Sequence, residues 1–334
     1  MAKPIVYVIA TGGTIASNYV PKNGILVDPA TADDLVAKIP EISDFAEIRC
    51  LQHSNITSDL MDINTVVELG KLVRKLVSKN DTTGVVITHG TATMEETAYF
   101  LDLTLDQQKP VVLTGAMRNL SEPDADGPRN ILYSVMTAVH PHSQSRGVLL
   151  CFNGEIHAAR NAIKMNANLV NAYASRDGGP LGAISKEGLI YFSQPERRLH
   201  IDVDYMKENV QLIILAQGAN DLLVRACISE GVDGIVIEGI GAGNVNIPYF
   251  NAVCDALEAN IPVVVGHRML SGSAYFAKGH DGSFRSMIER GAIPAGHLSG
   301  IKARVLLMVA LAHTQDREAI REIFTKVSSP SLPN

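Results

Sequence analysis

Two threonines and a lysine are the residues of this chain whose types and settings suggest chemistry. Thr14 ends the turn Thr11-Gly12-Gly13-Thr14, directly after the apolar run Pro4–Ala10. Thr91 follows His89-Gly90 at the close of a second such run, Val85–Thr88, inside the stretch Val85–Phe100. Lys164 lies in the segment Ile156–Ala172, four residues after Arg160. A threonine hydroxyl is a poor nucleophile near neutral pH and needs a base within hydrogen-bond reach. An attacked amide also develops an oxyanion, which backbone N–H groups at glycine-rich strand ends can stabilise. Thr14 and Thr91 are therefore candidate hydroxyls, Lys164 a candidate base, and the Gly12-Gly13 and Gly90 turns candidate amide donors. Each has a plainer reading beside this one. Thr-Gly-Gly-Thr also fits an ordinary strand-to-loop turn, and Arg160 and Lys164 fit solvated surface charges. No metal-ligand grouping and no Gly-x-Gly-x-x-Gly run competes.

The elements that must position these groups follow from the pattern. Short β-branched runs between turn signals read as buried strands at Pro4–Ala10, Ala46–Leu51, Val85–Thr88, Pro110–Leu113 and Gly147–Phe152. Between them Thr31–Ile39 reads as a short helix. Ile63, Val66, Val67, Leu69, Leu72, Val73 and Leu76 fall at helical spacing on one apolar face. Thr93, with Glu96 three residues on, has the pattern of a capping box opening a helix. Asp124–Pro128 is a turn into a helix over Asn130–Val139. A hydroxyl at the carboxyl end of a parallel strand sits where open α/β sheets place their ligands. Ser17–Val27 is polar and reads as a mobile loop, able to close over such a site.

Strands alternating with helices at this rhythm predict an α/β protein with a largely parallel sheet and flanking helices. Ser185–Asp204 loses the periodicity and reads as hairpin material passing into a linker. A second, smaller α/β unit begins near Gln211, with closing helices over Leu298–Ala312 and Asp316–Thr325 and a frayed tail from Val327. The expected division is an N-terminal domain over 1–190, a linker over 191–211 and a C-terminal domain over 212–334.

At 334 residues two domains are the natural expectation. A net charge of −6 gives no electrostatic footprint for nucleic acid or an anionic membrane surface. Cys50, Cys151, Cys227 and Cys254 stand far apart, and Cys151 and Cys227 lie in apolar surroundings that suit buried free thiols. No apolar run reaches the length of a membrane span, and the N-terminus lacks a signal-peptide core. Cytoplasmic residence is the expectation, and a periplasmic chain trimmed of its signal would read the same.

Thr-Gly-Gly-Thr-Ile-Ala (Thr11–Ala16), the run Ile87–Thr104, Gly-Ala-Met-Arg (Gly115–Arg118), Ala125–Asn130 and Lys302–Leu307 resemble, in order, the bacterial type II L-asparaginase and glutaminase-asparaginase family. The resemblance implies an asparaginase-like fold, with a left-handed crossover in the N-terminal domain. It further implies homotetramers whose active sites form between pairs of subunits, and chemistry on a small-molecule amide with no cofactor and no metal. By the same resemblance Thr14 is the acyl-enzyme nucleophile, Thr91 the second catalytic hydroxyl and Lys164 its base or proton relay. Ser58 would bind the substrate α-carboxylate with backbone around Gly13, Gly90 and Thr91, and Asn244 would enter from a neighbouring subunit.

The departures from the family pattern carry equal weight. Ala92 stands where the family has an aspartate that holds the lysine and binds the substrate α-ammonium. Asp59 replaces a family Gln or Glu and offers a shorter carboxylate to the same ammonium. Tyr19 is the only tyrosine of the shortened loop and the candidate for the family's lid tyrosine. The partner-subunit glutamate has no counterpart in 280–290. Three readings fit Ala92: a deliberate replacement of the aspartate, divergence toward an amide lacking a free α-amino group, or a non-catalytic amino-acid-binding homologue. Retention of Thr14, Thr91 and Lys164 speaks against the last. The expected activity is hydrolysis of L-asparagine, with L-glutamine as the related substrate, impaired by Ala92.

Overall fold

The computed structural model describes residues 3–19, 26–27, 30–194, 198–276 and 279–328. In chain order the first part contains β1 (Ile5–Ala10), β2 (Asn18–Tyr19), β3 (Leu26–Val27), α1 (Ala32–Ala37) and β4 (Glu47–Gln52). It continues with α2 (Ile63–Val77), β5 (Thr82–Thr88), α3 (Met94–Thr104), β6 (Val111–Thr114), α4 (Gly127–Val139) and β7 (Val148–Phe152). Strands β8 (Glu155–Ala158), β9 (Ala162–Lys164), β10 (Tyr173–Ser175), β11 (Gly182–Ser185) and β12 (Gly188–Tyr191) complete it. The second part has β13 (Val210–Ile214), α5 (Leu222–Glu230), β14 (Gly234–Gly239), α6 (Ile247–Glu258) and β15 (Val263–His267). It closes with α7 (Phe284–Glu289), β16 (Ile293–Pro294), α8 (Gly300–His313) and α9 (Arg317–Ser328).

The chain divides into two compact units, Met1–Pro195 and Glu196–Asn334. Among the described residues the first holds an eight-stranded sheet ordered β12-β11-β8-β7-β6-β5-β1-β4. From β4 to β7 neighbouring strands pair in parallel, and from β7 to β12 they pair antiparallel. The parallel part therefore runs second-first-third-fourth-fifth, and chain direction across the sheet reverses between β1 and β5. Such a reversal opens a crevice beyond the carboxyl ends of the two strands. The turns carrying Thr14 and Thr91 leave the sheet there.

Both faces of this sheet are covered, which explains why its strands are continuous apolar runs rather than alternating ones. Val6, Val8, Val86, Val112 and Leu149 join residues of α1 and α4 in one core. The second unit is a parallel sheet ordered β13-β14-β15-β16, with its own core around Ile235, Ile237, Val253 and Val265. Cys151 and Cys227 are buried free thiols, while Cys50 and Cys254 are half-buried.

Local chemistry sets the element ends. Thr31 and Asp34 form a reciprocal capping box on α1. Helix α4 begins three residues earlier than its apolar spacing predicts, because Pro128 in the first turn has φ already set for a helix. The capping box expected at Thr93 does not form. The Thr93 hydroxyl makes no bond to its own helix and instead donates to the Ser58 carbonyl at 2.9 Å. A tertiary partner outcompetes the local cap. Strands β2 and β3 pair antiparallel at the ends of the expected mobile loop. The rest of that loop, residues 20–25, lies outside the described residues. So do linker residues 195–197 and the tail from 329, whereas Val327 and Ser328 belong to α9.

The β6–α4 connection is tied to one carboxylate. Buried Asp126 accepts from the backbone N–H of Met117 at 3.1 Å, from that of Arg118 at 2.9 Å and from Asn130 Nδ2 at 3.2 Å. Asp126→Ala strands these donors, and a buried donor left unpaired costs about 1–3 kcal/mol. The thermal unfolding midpoint of Asp126→Ala is expected to fall by several degrees. A midpoint equal to that of the parent would show that the carboxylate does not hold the connection.

Candidate active site

The turn after β1 is fixed to its neighbours before any side-chain chemistry enters. The Thr11 N–H and hydroxyl both donate to the Thr88 carbonyl at 3.1 and 3.0 Å, tying the ends of β1 and β5 together. The Thr11 carbonyl accepts from Ile56 N–H at 3.1 Å and from the Ser54 hydroxyl at 3.0 Å. Gly13 follows at φ +84°, a conformation L side chains rarely adopt. A methyl group built on it would lie 2.4 Å from Gly90 Cα, so the two turns meet backbone to backbone. Thr14, half-buried, opens a single turn of 3-10 helix over Thr14–Ala16.

The turn after β5 is held from beneath by His89. Its Nδ1 lies 2.8 Å from the Gly90 carbonyl and its Nε2 3.0 Å from the Thr97 hydroxyl. A carbonyl only accepts, so Nδ1 carries the proton and Nε2 accepts from Thr97. Burial drives the His89 pKa down to about 4. The ring is a neutral structural strut.

Above this strut the candidate groups of the sequence meet. Lys164 Nζ donates to Thr91 Oγ1 at 2.8 Å. The Thr91 hydroxyl lies 3.6 Å from Met117 Sδ, and the Thr91 carbonyl accepts from the Tyr173 hydroxyl at 2.6 Å. Lys164 comes from β9, paired with β10 so that Lys164 and Tyr173 stand opposite each other. Its backbone N–H donates to Glu95 Oε1 on α3 at 3.2 Å. Burial lowers the Lys164 pKa from its ordinary value, and the Glu95 carboxylate opposes that shift. Burial raises the Tyr173 pKa well above its ordinary value, with Glu95 adding to it, so the phenol stays protonated and able to donate.

Ser58 closes another side. Its Oγ accepts from Ala92 N–H at 3.1 Å, and a methyl group built on Gly90 would lie 2.6 Å from the same oxygen. With one lone pair so engaged, the Ser58 O–H remains available to donate to an anionic group. Asp59 follows on the same short 3-10 turn with its side chain exposed. Ala92 is exposed as well.

Thr14, Thr91, Lys164, Ser58, Gly13, Gly90 and Ala92 thus share one region of the first unit, with Asp59 beside Ser58. Asn244 belongs to the second unit, where its Oδ1 accepts from Phe284 N–H at 3.1 Å. The backbone of Tyr19 is in β2, and its side chain lies outside what is described. Glu95 and Tyr173 escaped the sequence reading. Glu95 carried little signal, since it stands beside Glu96 in a first helical turn and its burial shows only in the fold. Tyr173 offered none, because its contact spans 82 residues of sequence. Among the described residues no group of three or more His, Cys, Asp or Glu side chains could hold a metal ion.

Residues 5–197 match the family model described as asparaginase, N-terminal, and residues 209–324 match the glutaminase/asparaginase C-terminal domain. L-asparaginase 2 of Escherichia coli strain K12 is 36% identical, with 98% of this chain and 94% of that one covered. The probable periplasmic L-asparaginase of Haemophilus influenzae is 35% identical, with 96% and 92% covered. The crystal structure of a probable cytoplasmic L-asparaginase from Campylobacter jejuni superposes with a TM-score of 0.89 at 33% identity, over 97% of this chain and 99% of that one. With both domain models matched in order and relatives aligned over nearly their whole length, this chain belongs to the L-asparaginase family of amidohydrolases.

Proposed function

We propose that this chain hydrolyses the side-chain amide of L-asparagine, or of L-glutamine, to the acid and ammonia through an ester on Thr14. The observation that carries the reading is the 2.8 Å bond from Lys164 Nζ to Thr91 Oγ1, beside a backbone contact that brings the Thr14 turn against the Thr91 turn. Thr14 Oγ1 attacks the amide carbon, and backbone N–H groups of the two turns receive the oxyanion. The proton leaving Thr14 and the one taken up by departing ammonia pass through the Thr91 hydroxyl and the Lys164 amine. Collapse breaks the C–N bond and leaves the Thr14 ester. Water, deprotonated through the same pair, then cleaves the ester and restores Thr14. The Ser58 hydroxyl donates to the substrate α-carboxylate, and Asp59 takes the α-ammonium in place of the family aspartate.

Assembly into homotetramers with shared active sites belongs to the same reading, with Asn244 supplied by a neighbour. So do cytoplasmic residence and a division into an N-terminal domain over 1–190, a linker over 191–211 and a C-terminal domain over 212–334. No described helix is long and apolar enough to cross a membrane. The exposed methyl of Ala92 favours a second reading, in which the substrate is a related amide without a free α-amino group.

Turnover of L-asparagine is expected to be low in this chain and to rise on Ala92→Asp. Loss of the orienting carboxylate of a serine-protease triad costs on the order of 10⁴ in turnover, and a gain of similar order is expected here. The check is ammonia release from both versions. Turnover that stays near zero with the carboxylate restored would sink the asparagine assignment.

The pH dependence follows from the same lysine. The reactive form is the neutral amine, and burial already lowers its pKa. A carboxylate at position 92 would favour the ammonium and raise that pKa. The rising limb of kcat/KM against pH is therefore expected at lower pH in this chain than in its Ala92→Asp version. Superimposable profiles would contradict a titrating role for Lys164.

A further inference from the structure

The carboxylate missing at position 92 leaves open what restrains the Lys164 amine in this chain. We propose that Glu95 is the positioning residue that aims Lys164 at Thr91 and supplies the negative charge facing its amine. The inference rests on the reading that Lys164 serves as base at Thr91.

Glu95 lies in the first turn of α3, where the helix dipole stabilises a carboxylate, and it is 6% exposed. Its Oε1 accepts the backbone N–H of Lys164 at 3.2 Å, so it grips the end of β9 itself. The β9–β10 pairing carries that grip across to Tyr173, whose hydroxyl donates to the Thr91 carbonyl at 2.6 Å. Lys164 Nζ then closes the loop onto the Thr91 hydroxyl at 2.8 Å. Hairpin, helix and the Thr91 turn are joined by three bonds, and Glu95 is the only carboxylate among the groups that make them. Among the described residues the amine bonds to the Thr91 hydroxyl, the Glu95 carboxylate on α3 acts on it through space, and Tyr173 stands opposite Lys164 on β10. Of these only Glu95 brings charge. It acts on the amine against desolvation, in the direction that favours the ammonium.

A purely structural Glu95 would tolerate Glu95→Gln, which keeps an acceptor for the Lys164 N–H and loses only charge. The test is an NMR titration of the intact protein labelled with [13Cε]lysine, the Lys164 signal being identified by its loss in Lys164→Met. Removing a carboxylate that favours the ammonium lowers a lysine pKa, here by about one unit. Lys164 is expected to titrate lower by that amount in Glu95→Gln and at the parent pH in Glu95→Asp, which keeps the charge. One midpoint shared by all three proteins would overturn the proposal. Should Glu95→Gln not fold, Glu95→Asp in the Ala92→Asp background carries the test. There a kcat lowered about tenfold at unchanged KM supports the positioning role, and parent kinetics overturn it. The titration needs no turnover, so its result stands apart from the activity assignment. Absence of ammonia from the Ala92→Asp protein, with the Lys164 shift present, would count against the amidohydrolase reading alone.

Discussion

The site depends on a place where two backbones touch with no room between them. Gly13, at a positive φ, sets its α-carbon so close to Gly90 that a methyl on Gly13 would fall 2.4 Å from Gly90 Cα. The contact lies at the reversal between β1 and β5, where chain direction across the sheet changes and a crevice opens beyond the strand ends. Sheet geometry brings the ends of the strands near each other. Glycine lets the turns leaving them meet. Any larger residue would push the turns that carry Thr14 and Thr91 apart. Gly90 is under the same constraint from its other side, where a methyl would lie 2.6 Å from the Ser58 oxygen.

Around this contact the struts are neutral, and charge enters through the Lys164 amine and the carboxylates of Glu95 and Asp59. His89 is buried and uncharged, with both ring nitrogens committed to Gly90 and Thr97. Tyr173 is buried and remains a phenol that donates to the Thr91 carbonyl. Burial draws the Lys164 amine too toward its neutral form, and only there does the Glu95 carboxylate pull the other way. For this half-buried lysine the balance between amine and ammonium follows from partial loss of solvent set against the nearby Glu95 charge. A strut able to titrate near neutral pH would couple the shape of the turn to its chemistry. A neutral His89 keeps the two separate.

Much of this was legible in the chain itself. Continuous apolar runs ending in Thr-Gly-Gly-Thr and His-Gly-Thr mark strand ends of a covered parallel sheet, and the threonines stand at those ends. Lys164 was legible through its resemblance to a family lysine rather than through spacing, because its 2.8 Å partner lies 73 residues away. Thr93 misled: its pattern promised a local cap, and the hydroxyl went to Ser58 instead. Local pattern records what a side chain can do with its own helix and is blind to a better partner arriving from elsewhere. The same blindness hid Tyr173 and made the buried Glu95 look like an ordinary first-turn acid.

Position 92 shows how chemistry can change here without disturbing the fold. What the structure asks of that residue is its backbone N–H, which donates to Ser58 at 3.1 Å and which every residue but proline provides. The side chain projects to an exposed side and packs into no core. An aspartate and an alanine are therefore equivalent to the scaffold and different to whatever binds there. Gly13 is the opposite case, since its lack of a side chain is what the scaffold requires. Between these extremes stands Ser58, whose oxygen both accepts the Ala92 N–H and keeps a proton to donate. A site assembled this way has a backbone frame that resists substitution and a few outward side chains free to diverge.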